Sequence, residues 1–443
     1  MVDAHADNGT CSTHADLGQD VLSHGPAAPV QPGDRIATLD MLRGFAIFGI
    51  LLVNMEFFNQ SVYHYVTGTK APTSLPDQLA RWFTALLAEG KFYSIFSFLF
   101  GVGMALQWTR AEQGGTRFAG FWLRRMIVLL GFGLIHAYLI WSGDILIMYS
   151  VLGISLLLWR KARPRTLLVW AVILLMIPLL LNAGLTGLVK LGEAVAGADE
   201  MNGQFAQNVA DYVRRAEQAD QVYAAGGFWE ITAQRVRDMN FMYGIWPFMM
   251  FNVLAMMVLG LSVGKSRLIR DIAGYRPFLR RVCWWGLVVG LVGNFVYVYC
   301  GERSVRMIPS GMGLLSTAGQ IVGAPALAIF YMASLALAAE RVVWRRRLNW
   351  LAQVGRMALS NYLLQSLVCA TLFFGSGFGL YGTFGIAGGV LVTICVYALN
   401  VLISSCWLRH FRFGPMEWVW RSLSYGRWQP IRASSEGLPH GAP

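Results

Sequence analysis

RKARPRTLLVWAVILLMIPLLLNAGLTG, from Arg160 to Gly187, is the stretch that decides the fold. Four basic residues, Arg160, Lys161, Arg163 and Arg165, precede an uncharged run from Thr166 to Gly187. At about 1.5 Å of rise per residue, a helix of that length crosses a hydrocarbon layer about 30 Å thick. Lysine and arginine clustered at one end mark the end that stays in the cytoplasm.

Comparable runs recur along the chain. Spans are expected near 42–60, 92–109, 123–141, 144–160, 166–187, 243–264, 282–300, 316–338, 354–375 and 384–408. The fold class is therefore all-α, a polytopic transmembrane helix bundle of about ten spans. The composition, 56% hydrophobic and 14% charged, exceeds what a soluble interior can hide. Basic clusters follow the even-numbered spans: Arg110 to Arg125, Arg160 to Arg165, Lys265 to Arg281 and Arg341 to Arg347. With the arginines before the first span and after the last, the inner side collects about 25 of the 36 basic residues. Both termini are thus expected in the cytoplasm. The net charge of +12 is spread over short clusters between apolar runs, which argues against a nucleic-acid partner and for the lipid bilayer. The six cysteines have no metal-type spacing and read as packing residues, so no metal is expected.

Three regions follow: a disordered cytoplasmic tail over 1–34, the bundle over 35–410 with an outer connection at 188–240 that folds over the outer mouth, and an interfacial helix and tail over 411–443. In the last, Gly414-Pro415-Met416-Glu417-Trp418 reads as a helix start lying on the inner surface. A homodimer is the oligomer to test.

Function in a bilayer protein shows as polar groups at a depth that lipid would otherwise exclude. Asn54 stands eleven residues beyond Arg43, and His136 eleven beyond Arg125, so each lies about 16 Å in from an inner-edge arginine. Arg43 is either an anchor or a cation for cofactor phosphates. His136, the one histidine inside a span, is either a packing residue or a general base. Asp144 either caps the next span or orients His136 or a substrate hydroxyl. Glu89 and Lys91 suggest an interfacial ion pair. Arg356 with Ser360, and Asn361 with Gln365, have i, i+4 spacing and form polar rows, for interhelical hydrogen bonds or for a cofactor wall.

The combination Leu39-Asp40-Met41-Leu42-Arg43-Gly44 with Asn54, Lys91-Phe92, Phe100-Gly101-Val102-Gly103, His136 with Trp141-Ser142-Gly143-Asp144, Gly355-Arg356-Met357-Ala358-Leu359-Ser360-Asn361-Tyr362 and Gly414-Pro415-Met416-Glu417-Trp418 resembles the YeiB family of bacterial inner-membrane proteins. More distantly, the Arg-Gly opening with its Asn is similar to the transmembrane acyltransferase superfamily, which includes heparan-alpha-glucosaminide N-acetyltransferase and the acyltransferase-3 enzymes. That resemblance implies an acyl-CoA co-substrate, acetyl-CoA first, entering from the cytoplasm, and an acyl group passed to a hydroxyl or amine of an acceptor left open. It implies Arg43, Arg356, Ser360 and Asn361 on the cofactor, with His136, Asn54 and Asp144 at the chemistry. His64, in the loop after span one, is the other candidate base. The rival expectation is a small-molecule transporter.

Overall fold

The structure is a computed structural model describing residues 37–432 apart from 71, 116, 117 and 270; the tail expected over 1–34 and the end of the 411–443 segment fall outside them. The helices are α1 Ala37–Asn59, α2 Val62–Thr67, α3 Leu75–Leu87, α4 Lys91–Gln113, α5 Phe118–Ile135, α6 Leu146–Ser155, α7 Pro164–Ala196, α8 Ala198–Ala225, α9 Phe228–Lys265, α10 Arg276–Gly301, α11 Gly311–Ala339, α12 Val342–Arg347, α13 Asn349–Arg356, α14 Ala358–Phe373, α15 Ile386–His410 and α16 Pro415–Tyr425. A single π-helical turn, His136–Ile140, continues α5, and a 3₁₀ turn, Leu156–Trp159, continues α6.

Among the described residues, eight helical stretches are long and apolar enough to cross a membrane. Two shorter apolar helices, Leu146–Trp159 and Ala358–Phe373, stand where the fourth and ninth spans were expected. All ten expected segments are helical, then, and eight have full crossing length. Exposed leucines and valines along α7, such as Leu168, Val172, Leu180 and Leu188, suit a lipid-facing surface.

Residues 188–240, expected as an outer connection, are helical: they are the end of α7, all of α8 and the start of α9. The α8 sequence is rich in Ala, Glu, Gln and Arg, which favour helix without being apolar. With 38 residues, α9 is about 57 Å long and overshoots a bilayer at one end. There α8 packs against α2, α7 and α9. Asp220 on α8 fastens it, accepting from the Ser61 N–H at 3.0 Å and the Tyr381 hydroxyl at 2.8 Å, and lying 2.9 Å from His64 Nε2. Burial opposes the charged form of Asp220, but the bonds from His64 and Tyr381 outweigh it and hold the carboxyl below its usual range.

At the other end, α1 crosses α13 with almost no space between backbones. A Cβ on Gly44 would sit 2.0 Å from the Leu351 carbonyl oxygen, and one on Gly355 would sit 1.8 Å from the Asp40 carbonyl oxygen. Only glycine permits that approach. Because Arg43 precedes Gly44 and Arg356 follows Gly355, the crossing brings two guanidinium-bearing residues together.

Candidate functional site

Those two arginines line a cavity of about 310 Å³. Its charged lining is Arg43, Arg110, Arg125, Arg356 and Arg421 with Asp40 and Glu417, five cations against two carboxylates. These residues come from the neighbouring ends of α1, α4, α5, α13 and α16. The apolar lining lies deeper on the same helices and their neighbours: Ile50, Phe96, Phe100, Leu129 and Leu146. Tyr149 and Tyr362 line it as well. A pocket with a cationic mouth and an apolar shaft matches an amphiphile whose anionic part stays at the membrane surface. Arg43 is paired with Asp40 at 2.6 Å on the first turns of α1. Arg125 lies 3.7 Å over the Trp420 ring, whose Nε1 donates to the Arg125 carbonyl at 3.0 Å, so α16 forms one wall of the mouth.

Ser360 and Asn361 do not line this cavity, against the expectation of a cofactor wall. The Ser360 hydroxyl donates to Glu417, and its oxygen accepts from the Met416 N–H at 3.0 Å. Glu417 also accepts from the Leu359 and Ser360 N–H groups at 2.6 and 3.1 Å, capping the N-terminus of α14 from another helix. Burial raises the Glu417 carboxyl above its usual range, although the Ser360 and Leu359 bonds pull the other way. Asn361 is fully buried and donates to the Val354 carbonyl and the Ser404 hydroxyl, at 3.0 and 2.9 Å. These residues join helices, and of the four expected cofactor residues only Arg43 and Arg356 face the cavity.

His136 and Asp144 are held together behind its inner end. His136 Nδ1 lies 2.8 Å from Asp144 Oδ1, and Asp144 Oδ2 accepts from the Ile147 N–H at 2.8 Å. Asp144 therefore does both jobs read from the sequence, securing the first turn of α6 and orienting the imidazole. With Nδ1–H donating to the carboxylate, Nε2 is left as the acceptor. That nitrogen has no hydrogen-bond partner and the residue has no exposure. A buried orphan of this kind is uncommon and calls for an explanation. The Tyr362 ring, 5.0 Å from the imidazole by centroids, separates it from the cavity, so His136 and Asp144 are not among the lining residues. The π turn begins at His136, whose carbonyl accepts from the Trp141 N–H at 2.8 Å; such turns recur at functional sites. Asn54, partly exposed, lines neither the cavity nor this pair. Helix α1 reaches the segment through Phe58, stacked on Trp141 at 4.2 Å between centroids.

The opposite end of the bundle has its own polar groups. Lys91, fully buried, donates to the carbonyls of Ala85 and Glu89 at 2.8 and 2.7 Å, not to the Glu89 carboxylate. That carboxylate accepts from the Tyr65 and Tyr297 hydroxyls and faces Arg306 at 3.6 Å, so the expected ion pair has a different cation. His64 is engaged at both nitrogens, by Asp220 and Thr69. It sits with α2 and α8, away from the cavity lining.

Tyr149, Tyr362 and Glu417 are the participants the sequence did not single out by role, although Tyr362 and Glu417 stand inside quoted motifs. Residues 263–427, which contain Arg356, Tyr362 and Glu417, match the family described as "Protein of unknown function (DUF418)". The chain is 37% identical over 426 residues to "Uncharacterized protein YxaH" of Bacillus subtilis (strain 168), covering 91% of this chain and 97% of that protein. It is 27% identical over 420 residues to "Uncharacterized 39.9 kDa protein in amylase 3'region" of Bacillus acidopullulyticus, covering 92% and 99%. It is 29% identical over 398 residues to "Uncharacterized protein YeiB" of Escherichia coli (strain K12), covering 88% and 96%. A helical bundle with this cavity and this end-to-end similarity is a member of the YeiB-type family of multi-pass membrane proteins.

Proposed function

We propose that the protein is a membrane-embedded acyltransferase that draws an acyl-CoA from the cytoplasm and passes its acyl group to a hydroxyl or amine on an extracytoplasmic or lipid-linked acceptor. The observation that carries this reading is the arginine-rimmed apolar cavity ending one aromatic ring away from a His–Asp pair whose Nε2 has no partner. The cavity, about 310 Å³, suits the acyl chain and the thiol-bearing arm, while the nucleotide phosphates stay with Arg43 and Arg356 at the mouth. The Tyr362 side chain must swing aside for His136 to meet substrate. His136 Nε2 then takes the acceptor proton as the acceptor atom bonds to the thioester carbonyl carbon; the C–S bond breaks and His136 returns the proton to the departing thiolate. Asp144 keeps the tautomer that this requires. Asn54, expected at the chemistry, lines neither the cavity nor the His136–Asp144 pair and takes no part in this step.

The basic ends of α1, α4, α5, α13 and α16 are placed in the cytoplasm by this reading, in the inner membrane of a bacterium, with both termini inside. Transport is the second reading, favoured by one observation: Asp238 and Glu89 are buried carboxylates on the far half of the bundle, of the kind coupled transporters use.

Binding of acetyl-CoA and longer acyl-CoAs to the detergent-purified protein tests the proposal. Saturable binding is expected, weakened about tenfold or more by Arg43→Ala or Arg356→Ala and kept by His136→Ala, which should abolish transfer. A well-folded sample that binds none of them ends the acyltransferase reading and leaves transport.

A further inference from the structure

A second cavity, of about 350 Å³, lies where the start of α10 meets the end of α11 and α12, at the basic end and sharing no lining residue with the first. Its lining includes Arg276, Arg280, Arg341, Glu340 and Trp344. Arg276 is tied to Glu340 by an ion pair. No carboxylate among the described residues pairs with Arg280 or Arg341, so two guanidinium groups converge on the cavity uncompensated. Membrane-surface arginines are ordinarily scattered anchors; here they share one concave pocket with an indole.

The surface continuous with the pocket indicates what fills it. Arg276 and Arg280 begin an i, i+4 row on α10 that continues through Trp284, Val288 and Val292. The last three are exposed, at 63%, 37% and 62%, and so present an apolar strip to the hydrocarbon. A cationic pocket at the surface followed by an apolar strip that winds around the same helix, by about 40° at each four-residue step, suits one molecule with both characters. Guanidinium groups hold phosphate oxygens bidentately, and a basic pocket among span ends selects an anionic headgroup over a zwitterionic one.

We propose that this pocket is a binding site for an anionic phospholipid, its phosphate held by Arg280 and Arg341 and its acyl chains lying along Trp284, Val288 and Val292.

The test uses the delipidated, detergent-purified full chain titrated with phosphatidylglycerol, phosphatidylcholine and soluble glycerol phosphate, with bound molecules counted by native mass spectrometry. Phosphatidylglycerol should bind with a defined stoichiometry, and the double variant Arg280→Ala with Arg341→Ala should weaken it about tenfold or more. Arg345→Ala with Arg346→Ala, which removes as much charge nearby, should leave it unchanged, as should Arg43→Ala in the other cavity. Should the alanine variant fail to fold, Arg280→Lys with Arg341→Lys keeps the charge and is expected to lose affinity through the lost bidentate geometry. Equal binding of phosphatidylcholine, or an equal loss in the Arg345 and Arg346 variant, would overturn the proposal. Glycerol phosphate binding as tightly as the lipid would make the occupant a soluble phosphate and overturn it too.

Discussion

Asp144 serves two neighbours with its two oxygens, and that sets what its substitution does. Asp144→Ala leaves both His136 Nδ1–H and the Ile147 N–H without acceptors in a buried place. A loss of about 1–3 kcal/mol is expected, seen as a lower melting temperature in detergent. Asp144→Asn keeps one acceptor oxygen and should lose less; alanine and wild type melting together would mean that the two bonds of Asp144 contribute nothing to stability. His136 stood out as a candidate because it is the single histidine inside an expected span, eleven residues in from the inner-edge Arg125. Ser360 was misassigned because its partner, Glu417, lies 57 residues away. A short-range spacing such as that of Arg356 and Ser360 puts two residues on one helix face but does not say what that face meets.

Among the elements, the α1–α13 crossing governs the cavity mouth. Gly355→Ala would drive a methyl group into the Asp40 carbonyl, forcing the helices apart. It is expected to destabilise by about 1–3 kcal/mol and to weaken acyl-CoA binding by separating Arg43 from Arg356. Gly103→Ala is the control: it also lines the cavity, yet a Cβ there meets nothing within 4 Å. If both variants melt and bind alike, backbone closeness at this crossing is not what sets the mouth. Eight of the ten apolar segments were readable because bilayer thickness imposes a length on them, and the two shorter ones by their apolar composition alone. Helix α8 was not, since hydropathy windows pass over a polar helix; its Ala, Glu, Gln and Arg content was the usable signal.

At the scale of the molecule, the two ends differ in charge and in construction. Arginine pockets collect at one end, and α8 with its Asp220 fastening closes on the other. The proposed orientation is checked with an impermeant maleimide on right-side-out vesicles, using single cysteines in a cysteine-free chain. Phe378→Cys, in the α14–α15 connection, should label, and Trp428→Cys, beyond α16, should label only after permeabilisation; the reverse pattern inverts the topology. Charge clusters made this asymmetry legible, whereas the cavities were not, because they arise from helices distant in sequence. The capping of α14 by Glu417 carries a consequence for biosynthesis. When Ser360 joins the growing chain, its partner is still 57 residues from being made, a delay of about 3 to 11 s at ordinary elongation rates. For that interval the nascent bundle holds α14 with an open first turn and a mouth that lacks one wall, so assembly of the site is timed by translation of its own C-terminal segment.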